Sequence, residues 1–446
     1  MKKLQSLIRE VIDNFQSNLQ EDIGVIICVR GCIAEAHGLI NCMIYEKVFF
    51  ENGTEGVVIA LYEHMVSILI SGNISAHDKV FRTGKFFTVK VNNDLIGGIV
   101  NGLGKSIDGR LNDGEEREID CKAPSMLERL NITRPLYTGI TKVDLIFSIG
   151  RGQRTLILGS ENLGQDDLII DICKSRKEDS ICVYVAIGRP NSFVLQMYNR
   201  LQQTGIKFIV VAANDSDSVM SRYFAPSVGC AIAEYFREQG KDVIIFYDSL
   251  NAHAIAYREI SLINHQPVGR ESYPGDLFYI HASLLERAGE LKNGSITAFP
   301  LVYSYNNDIA GYLPTNIISI TDGQLFFKEE LYHKGILPAI DIGISVSRIG
   351  GAVHTPEVKS IAGFLKLELS QYELLVEETK LISDINKETK KILESGKMLF
   401  TSIQQPKGII LPIWKQLALV NAARNELYTE EFLQKVCFAE TMNDLK

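Results

Sequence analysis

Residues 155–171, TLILGSENLGQDDLIID, run from an apolar stretch into Gly159, then to Gly164, with Gln165 and Asp166 ahead of a second apolar stretch. A loop that cradles phosphates follows the pattern G-x-x-x-x-G-K-[ST]. Its glycines let backbone N–H groups curl round the anion, its Lys neutralises the charge, and its Ser or Thr hydroxyl holds magnesium. Here both glycines are in place, while Gln165 and Asp166 stand where Lys and Ser/Thr belong. Glycines so spaced are common by chance, so other segments must support the pattern. VIIFYD, residues 243–248, is an apolar strand ending in Asp248, the way a magnesium-directing carboxylate is presented beside a phosphate loop; read alone, Asp248 is also an ordinary strand-end acid. In DIGISVSR, residues 341–348, a strand-like segment delivers Arg348 among serines, far in sequence from the loop. That residue is either a structural arginine in a salt bridge or a planar donor fork offered to a phosphoryl group on a neighbouring subunit.

These residues need rigid elements to hold them. The central section alternates apolar runs with helical segments: Thr155–Leu158, Ile181–Ile187, Phe208–Ala212, Val243–Tyr247, Ser295–Leu301 and Ile317–Ile320. Continuous Val/Ile/Leu runs separated by helices predict a mostly parallel sheet covered on both faces. The Gly159–Asp166 loop then falls at a strand-to-helix joint, where ligands of such sheets bind. Ahead of it, short β runs at Val25–Val29, Glu46–Phe50, Gly56–Ala60, Val66–Ile70 and Phe86–Val91, separated by turn signals such as Glu51-Asn52-Gly53, predict a small closed barrel. Leu4, Leu7, Ile8, Val11, Ile12 and Phe15 give residues 1–23 one apolar helical face. Glycines at 97, 98, 104 and 109 join the barrel to the sheet. Phe364–Ser395 contains neither Gly nor Pro, so the last stretch predicts a helical bundle. The expected division is an N-terminal helix at 1–23, a β-barrel at 24–92, a nucleotide-binding-type α/β domain at 93–365 and a helical domain at 366–446.

Composition narrows the function. With 446 residues, 46% hydrophobic and 22% charged, the sequence has the make-up of a multidomain globular protein. A net charge of −8 argues against a nucleic-acid binder, which presents a basic face. No apolar run reaches the roughly 18 residues of a membrane span, and residues 1–15 lack the apolar core of a signal peptide. The eight cysteines form neither a CxxC nor a His/Cys pair at metal spacing. They read as buried reduced thiols, with redox or metal roles the lesser alternative.

Longer segments carry a resemblance. TGITKVD at 138–144, IGRGQR at 149–154, GRESYPGD at 269–276 with His281 and LLER at 284–287, IAGYLPTNIISITDGQ at 309–324, PAIDIGISVS at 338–347 and LKLELSQY at 365–372 occur in order. Together they resemble the α subunit of F-type rotary ATP synthases, from about residue 24 to 375. The resemblance implies a barrel, a P-loop (RecA-like) domain and a helical domain, with three α alternating with three β subunits round a γ central stalk. A δ/OSCP-type subunit of the peripheral stalk also touches the assembly, and the membrane is reached only through the ion-translocating sector, on its cytoplasmic or organelle-matrix face. It also implies that the α subunit's own nucleotide site is non-catalytic and that Arg348 acts as an arginine finger on Mg-ATP or Mg-ADP bound at the interface with a β-type subunit.

The sequence departs from this family where its own nucleotide would sit. Gly164-Gln165-Asp166 replaces Gly-Lys-Thr, a change from cation to anion. A unit-charge contact at 4 Å is worth roughly 4 kcal/mol at an effective dielectric of 20, and tenfold in affinity takes only about 1.4 kcal/mol, so no firmly bound nucleotide is expected at this site. On the base side, the family's Lys-Gln-x-Gln aligns with Gln404-Gln405-Pro406-Lys407, leaving Gln405 as the retained residue. Where β subunits present a water-polarising carboxylate, this sequence reads Gly188-Arg189-Pro190; Arg accepts no proton, so independent hydrolysis is not expected. The C-terminal domain reads as shorter than the family's. Three functions fit: a non-catalytic α-type subunit of a proton- or sodium-translocating ATP synthase or ATPase; a scaffold paralogue in another assembly; and an autonomous NTPase using Asp166.

Overall fold

The computed structural model describes residues 23–439 apart from 111–112, 177–179, 305–307, 380–385, 426, 430–431, 433–434 and 437–438. Residues 1–22 of the helix expected at 1–23, and Cys437, lie outside the described residues, while Ile23 begins a strand.

β1 (Ile23–Arg30), β2 (Ile33–Gly38), β3 (Glu46–Phe50), β4 (Glu55–Leu61), β5 (Val66–Ile70) and β6 (Lys79–Phe86) close an antiparallel barrel in the order β1-β2-β5-β4-β3-β6. Ile26, Val48, Val58, Ile68 and Val80 fill its interior, the alternate inward residues of strands whose β-branched side chains suit a pleated surface. Inside, the Glu46 carboxylate accepts from Arg82 Nε and Nη2, both at 3.1 Å, and from the backbone N of Gly84 at 2.9 Å. The run expected as one strand at Phe86–Val91 is two: β6 leaves the barrel at Phe86, and β7 (Thr88–Val91) pairs with β9 (Glu115–Glu118) in a separate ribbon.

The sheet beyond is built from β8 (Ile99–Asn101), β10 (Thr155–Gly159), β11 (Ser180–Arg189), β12 (Lys207–Asn214), β13 (Asp242–Asp248), β14 (Gly289–Leu291), β15 (Gly294–Tyr303), β16 (Gly323–Phe327) and β17 (Val346–Ser347). Its order is β17-β16-β10-β15-β13-β11-β12-β8. The ladders from β16 to β8 are parallel, and β14 and β17 are antiparallel additions. Side chains of β11 divide between two cores: Val183, Val185 and Ile187 pack on one face, Cys182, Tyr184 and Ala186 on the other. One face is covered by α3 (Val219–Glu238), α4 (Leu250–Ile263) and α5 (Leu277–Leu285); the other by α1 (Gln165–Ser175) and α2 (Asn191–Thr204). With both faces apolar, the strands can be Val/Ile-rich throughout, the expected pattern.

One expected strand is corrected. Ile317–Ile320 forms the last turn of a helix, α6 (Tyr312–Ile320), and the strand that follows is β16. A short run such as Ile-Ile-Ser-Ile fits either a buried strand or a buried helix turn. Here Pro314 in the first turn, with no hydrogen bond to lose there, favours the helix, and Leu313, Ile317 and Ile320 share its buried face.

After a short helix α7 (Glu329–His333), the C-terminal part consists of α8 (Pro356–Thr379), α9 (Lys387–Ser402) and α10 (Ile413–Arg424). Val358, Ile361, Leu365 and Leu369, at helical spacing, press α8 onto the core that also holds α1 and α2. Two buried polar residues pin this junction. The Asp144 carboxylate accepts from Thr138 N and Oγ1, both at 2.7 Å, from Gly139 N at 2.9 Å and from Gln416 Nε2, on α10, at 2.8 Å. Lys142 is fully buried, its Nζ donating to the carbonyls of Pro338 at 2.9 Å and Ile340 at 3.3 Å.

Burial lowers the Lys142 pKa to about 8, against the opposing pull of Glu373 and Asp341. The folded protein therefore releases this proton near pH 8, the unfolded protein only near 10.5. Between those values the unfolded state binds more protons, so stability rises with pH, and the penalty of keeping the ammonium charged is fully present below pH 8. The difference corresponds to about 3 kcal/mol. Urea midpoints at pH 7 and pH 10 should show this rise in the parent protein, and Lys142→Met should flatten it; equal pH dependence in both would refute the assignment.

Candidate functional site

β10 delivers Gly159 to the open edge of the sheet. A Cβ there would lie 2.5 Å from the Phe327 carbonyl, so the close approach of the neighbouring strand requires glycine. Gly164 caps α1 at φ 93°, a left-handed conformation that glycine adopts without strain. The loop between them is shaped like a phosphate cradle, yet its interior is filled by the protein itself. Gln165 is buried and turns back into the loop, its Oε1 accepting from Leu163 N at 2.9 Å and its Nε2 donating to Ser160 O at 2.6 Å. The positive end of α1 is met by Asp166 and Asp167 of its own first turn. Asp167 is further held by Arg200 Nη2 at 2.6 Å.

Asp248 ends β13 and is completely buried. Register brings its partners to it: Ala186 of β11 lies opposite Asp248, and Tyr303 of β15 opposite Gly159. Tyr184 donates to Oδ2 at 2.5 Å and Tyr303 to Oδ1 at 3.0 Å. Arg189, at the end of β11, donates to Oδ1 from Nε at 3.1 Å and Nη2 at 2.6 Å. Its guanidinium sits 4.6 Å from the Tyr303 ring centroid and 4.9 Å from that of Phe193. Burial opposes the Arg189 charge, but the facing Asp248 carboxylate outweighs it and holds the pKa above its ordinary value. The Tyr184 and Tyr303 hydroxyls are pushed well up, by burial first and then by Asp248. Asp166 rises to about 6, from burial and then from the charge of Asp248.

Gln405 shares with Gly164 the wall of a mainly apolar cavity of about 140 Å³ that Leu163, Phe327, Tyr332 and Leu337 also line. Its amide is engaged within the protein. Oε1 accepts from Thr141 N at 3.1 Å and Oγ1 at 3.0 Å, and Nε2 donates to the carbonyls of Gly139 at 2.8 Å and Ile409 at 2.5 Å.

Arg348 is separate from all of these. It follows β17, whose Ser347 pairs with Gly323, and Gly323 pairs in turn with Thr155 at the start of β10. The loop begins at the far end of β10, so about 13 Å of strand separates the two levels at about 3.3 Å per residue. Arg348 is exposed, with Nη2 donating to Ile318 O at 3.2 Å and its backbone N to Asp322 O at 2.9 Å. The Asp322 carboxylate itself is taken by Arg154 at 2.7 Å. The serines beside Arg348 are clamps: Ser345 Oγ accepts from Phe326 N at 2.9 Å, and Ser347 Oγ donates to Ser148 O at 2.9 Å.

Sequence reasoning singled out Gly159, Gly164, Gln165, Asp166 and Asp248, and the fold brings these together. It missed Tyr184 and Tyr303, and it read Arg189 as the absence of a base rather than the presence of a cation. The available signal was an Arg at one strand end and an Asp at another.

A six-stranded barrel, a parallel sheet with a glycine loop at a strand-to-helix joint, and a helical C-terminal part define a nucleotide-binding-type subunit whose own loop is internally filled. The family described as ATP synthase alpha/beta family, nucleotide-binding domain, matches residues 139–347, and the C-terminal domain of the ATP synthase alpha/beta proteins matches 354–442. The sequence is similar to "ATP synthase subunit alpha" of Clostridium acetobutylicum, 41% identical over 99% of its own length and 90% of that protein. It is also similar to proteins of that name from Clostridium botulinum (40%; 96% and 88%) and Wolinella succinogenes (40%; 94% and 87%). The protein belongs to the ATP synthase alpha/beta family, as a divergent α subunit of the F type.

That family implies a magnesium nucleotide at the glycine loop, and the residues here do not fit one. The Gln165 amide uses the loop's Leu163 N–H, the helix start carries two carboxylates, and the Asp248 oxygens are already engaged by an arginine and two tyrosines. Among the described residues no cluster of three or more His, Cys, Asp or Glu side chains is placed to hold a metal, and no helix is long and apolar enough to cross a membrane. Gln165→Ala would strip Leu163 N and Ser160 O of their partners. A buried group left unpaired costs about 1–3 kcal/mol, so the variant should unfold at lower urea with unchanged slope; an unmoved midpoint would show that the side chain does not hold the loop.

Proposed function

We propose that the protein is a non-catalytic α-type subunit of an F-type ATP synthase or ATPase, and that it supplies Arg348 to Mg-ATP or Mg-ADP held by a neighbouring β-type subunit. The observation that carries this reading is the position of Arg348. It is exposed, about 13 Å of strand removed from the subunit's own loop, and the adjacent Asp322 is engaged by Arg154. A guanidinium so placed is free to meet a phosphoryl group across an interface, where a finger supplied in trans is worth about 10³–10⁵ in rate. The subunit's own loop, with Gly159, Gly164, Gln165, Asp166, Asp248 and Gln405, serves as a structural joint. At the strand end where β-type subunits present a water-polarising carboxylate, this subunit carries Arg189, which accepts no proton, so independent hydrolysis is not expected.

In this reading three copies alternate with three β-type subunits round a γ stalk, a δ/OSCP-type subunit contacts the assembly, and the membrane is met only through the ion-translocating sector. The closed loop also favours a second reading, a scaffold paralogue in an assembly without ATP synthesis. Purification separates the two: β-type, γ-type and membrane-sector subunits should co-isolate with the protein, and their absence would favour the scaffold.

Arg348→Ala should lower the ATPase rate of the assembled complex by at least about 100-fold, set against the range of finger deletions, while leaving assembly intact by size-exclusion chromatography. Full turnover in that variant would end the finger assignment. The isolated subunit should give no calorimetric signal with micromolar Mg-ATP, and tight binding would reverse the reading of its own loop.

A further inference from the structure

We propose that Arg189 is a built-in counter-ion, a protein cation that has taken over the charge of bound metal beside Asp248, so that this subunit folds and assembles with its own site permanently ligand-free. The proposal deepens the reading that the subunit's own loop holds no magnesium nucleotide, by naming the group that makes the loss tolerable.

Asp248 is fully buried at the end of a central strand. A carboxylate there needs a cation and hydrogen bonds, because an uncompensated buried charge is strongly destabilising. Every part of that requirement is met within the protein. Arg189 gives Oδ1 two donors, at 3.1 and 2.6 Å, and the tyrosine hydroxyls of 184 and 303 reach Oδ2 and Oδ1 at 2.5 and 3.0 Å. The guanidinium lies close to the rings of Phe193 and Tyr303, an arrangement that favours a planar, weakly hydrated cation and still admits an ammonium. Its remaining amine, Nη1, lies 3.6 Å from Glu161 Oε1 in the glycine loop, so the same residue ties the strand end to the loop.

The two departures from the phosphate-loop pattern are therefore complementary. A cation is missing from the start of α1, where Gln165 stands, and a cation is present at the end of β11. Restoring the loop alone would leave Arg189 over Asp248 and add a second positive group beside it. Both ends must change before a magnesium nucleotide can enter.

The test uses the full-length protein with four variants: Arg189→Gln, Arg189→Lys, the loop double Gln165→Lys/Asp166→Thr, and that double combined with Arg189→Gln. Thermal melts with and without millimolar MgCl2 give the first readout. The parent melt should be indifferent to magnesium. Arg189→Gln should melt several degrees lower and recover part of the loss when magnesium is added, since the ion can then reach the freed carboxylate. If Arg189→Gln does not fold while Arg189→Lys does, the need for a positive charge at this position is shown directly. An Arg189→Gln protein as stable as the parent overturns the proposal. Titration calorimetry with Mg-ATP gives the second readout. The triple variant should bind at least about tenfold tighter than the double, a difference of about 1.4 kcal/mol; equal affinities, whether tight or weak, overturn it. Binding of Mg-ATP by the unaltered parent would instead sink the reading of an empty site on which the proposal rests.

Discussion

A sheet buried on both faces confines all of its chemistry to its two edges, and this constraint governs the molecule. Between Ile99 and Phe327 the parallel strands are packed against helices on either side, which leaves charged groups no solvent along the strand interiors. They collect at the strand ends instead: Asp248, Arg189, Tyr303 and the glycine loop at the C-terminal edge, and Arg154, Asp322 and Arg348 at the other. The barrel and the C-terminal helices are secured by the same logic. Buried polar residues there are tied to named partners, as Glu46 to Arg82, Asp144 to Thr138 and Gln416, and Lys142 to two carbonyls.

Much of this was legible in the order of residues. Continuous Val/Ile/Leu runs at 155–158, 181–187, 208–212, 243–247 and 295–301 each fall within a strand of the sheet, because a strand buried on both faces has no polar alternation to obscure it. The barrel runs at 46–50 and 66–70 coincide with β3 and β5. Ile317–Ile320 failed because four residues are too few to carry a period, and the competing information, Pro314 at a helix start, lies outside the run. The second barrel strand, IAEAHG at 33–38, is short of β-branched residues and gave no signal of its own.

The site was half legible for a different reason. Gln165 and Asp166 show by their types alone that an amide and a carboxylate stand where a phosphate loop needs a cation and a hydroxyl. What surrounds Asp248 depends on register, on which residue of β11 lies opposite it, and on side chains of Tyr184, Phe193 and Tyr303 drawn from distant segments. Pairing of parallel strands across helical connections is long-range, so the ion pair of Arg189 with Asp248 is invisible until the sheet is assembled.

The separation of Arg348 from the glycine loop by the length of β10 has a consequence for how such a protein changes over time. The residues holding the two groups differ: Arg348 rests on β17, Ile318 of α6 and Asp322, the loop on Gln165 of α1 and Arg189 of β11. A rigid strand thus works as a firebreak: a substitution in the glycine loop leaves the residues that hold Arg348 in place.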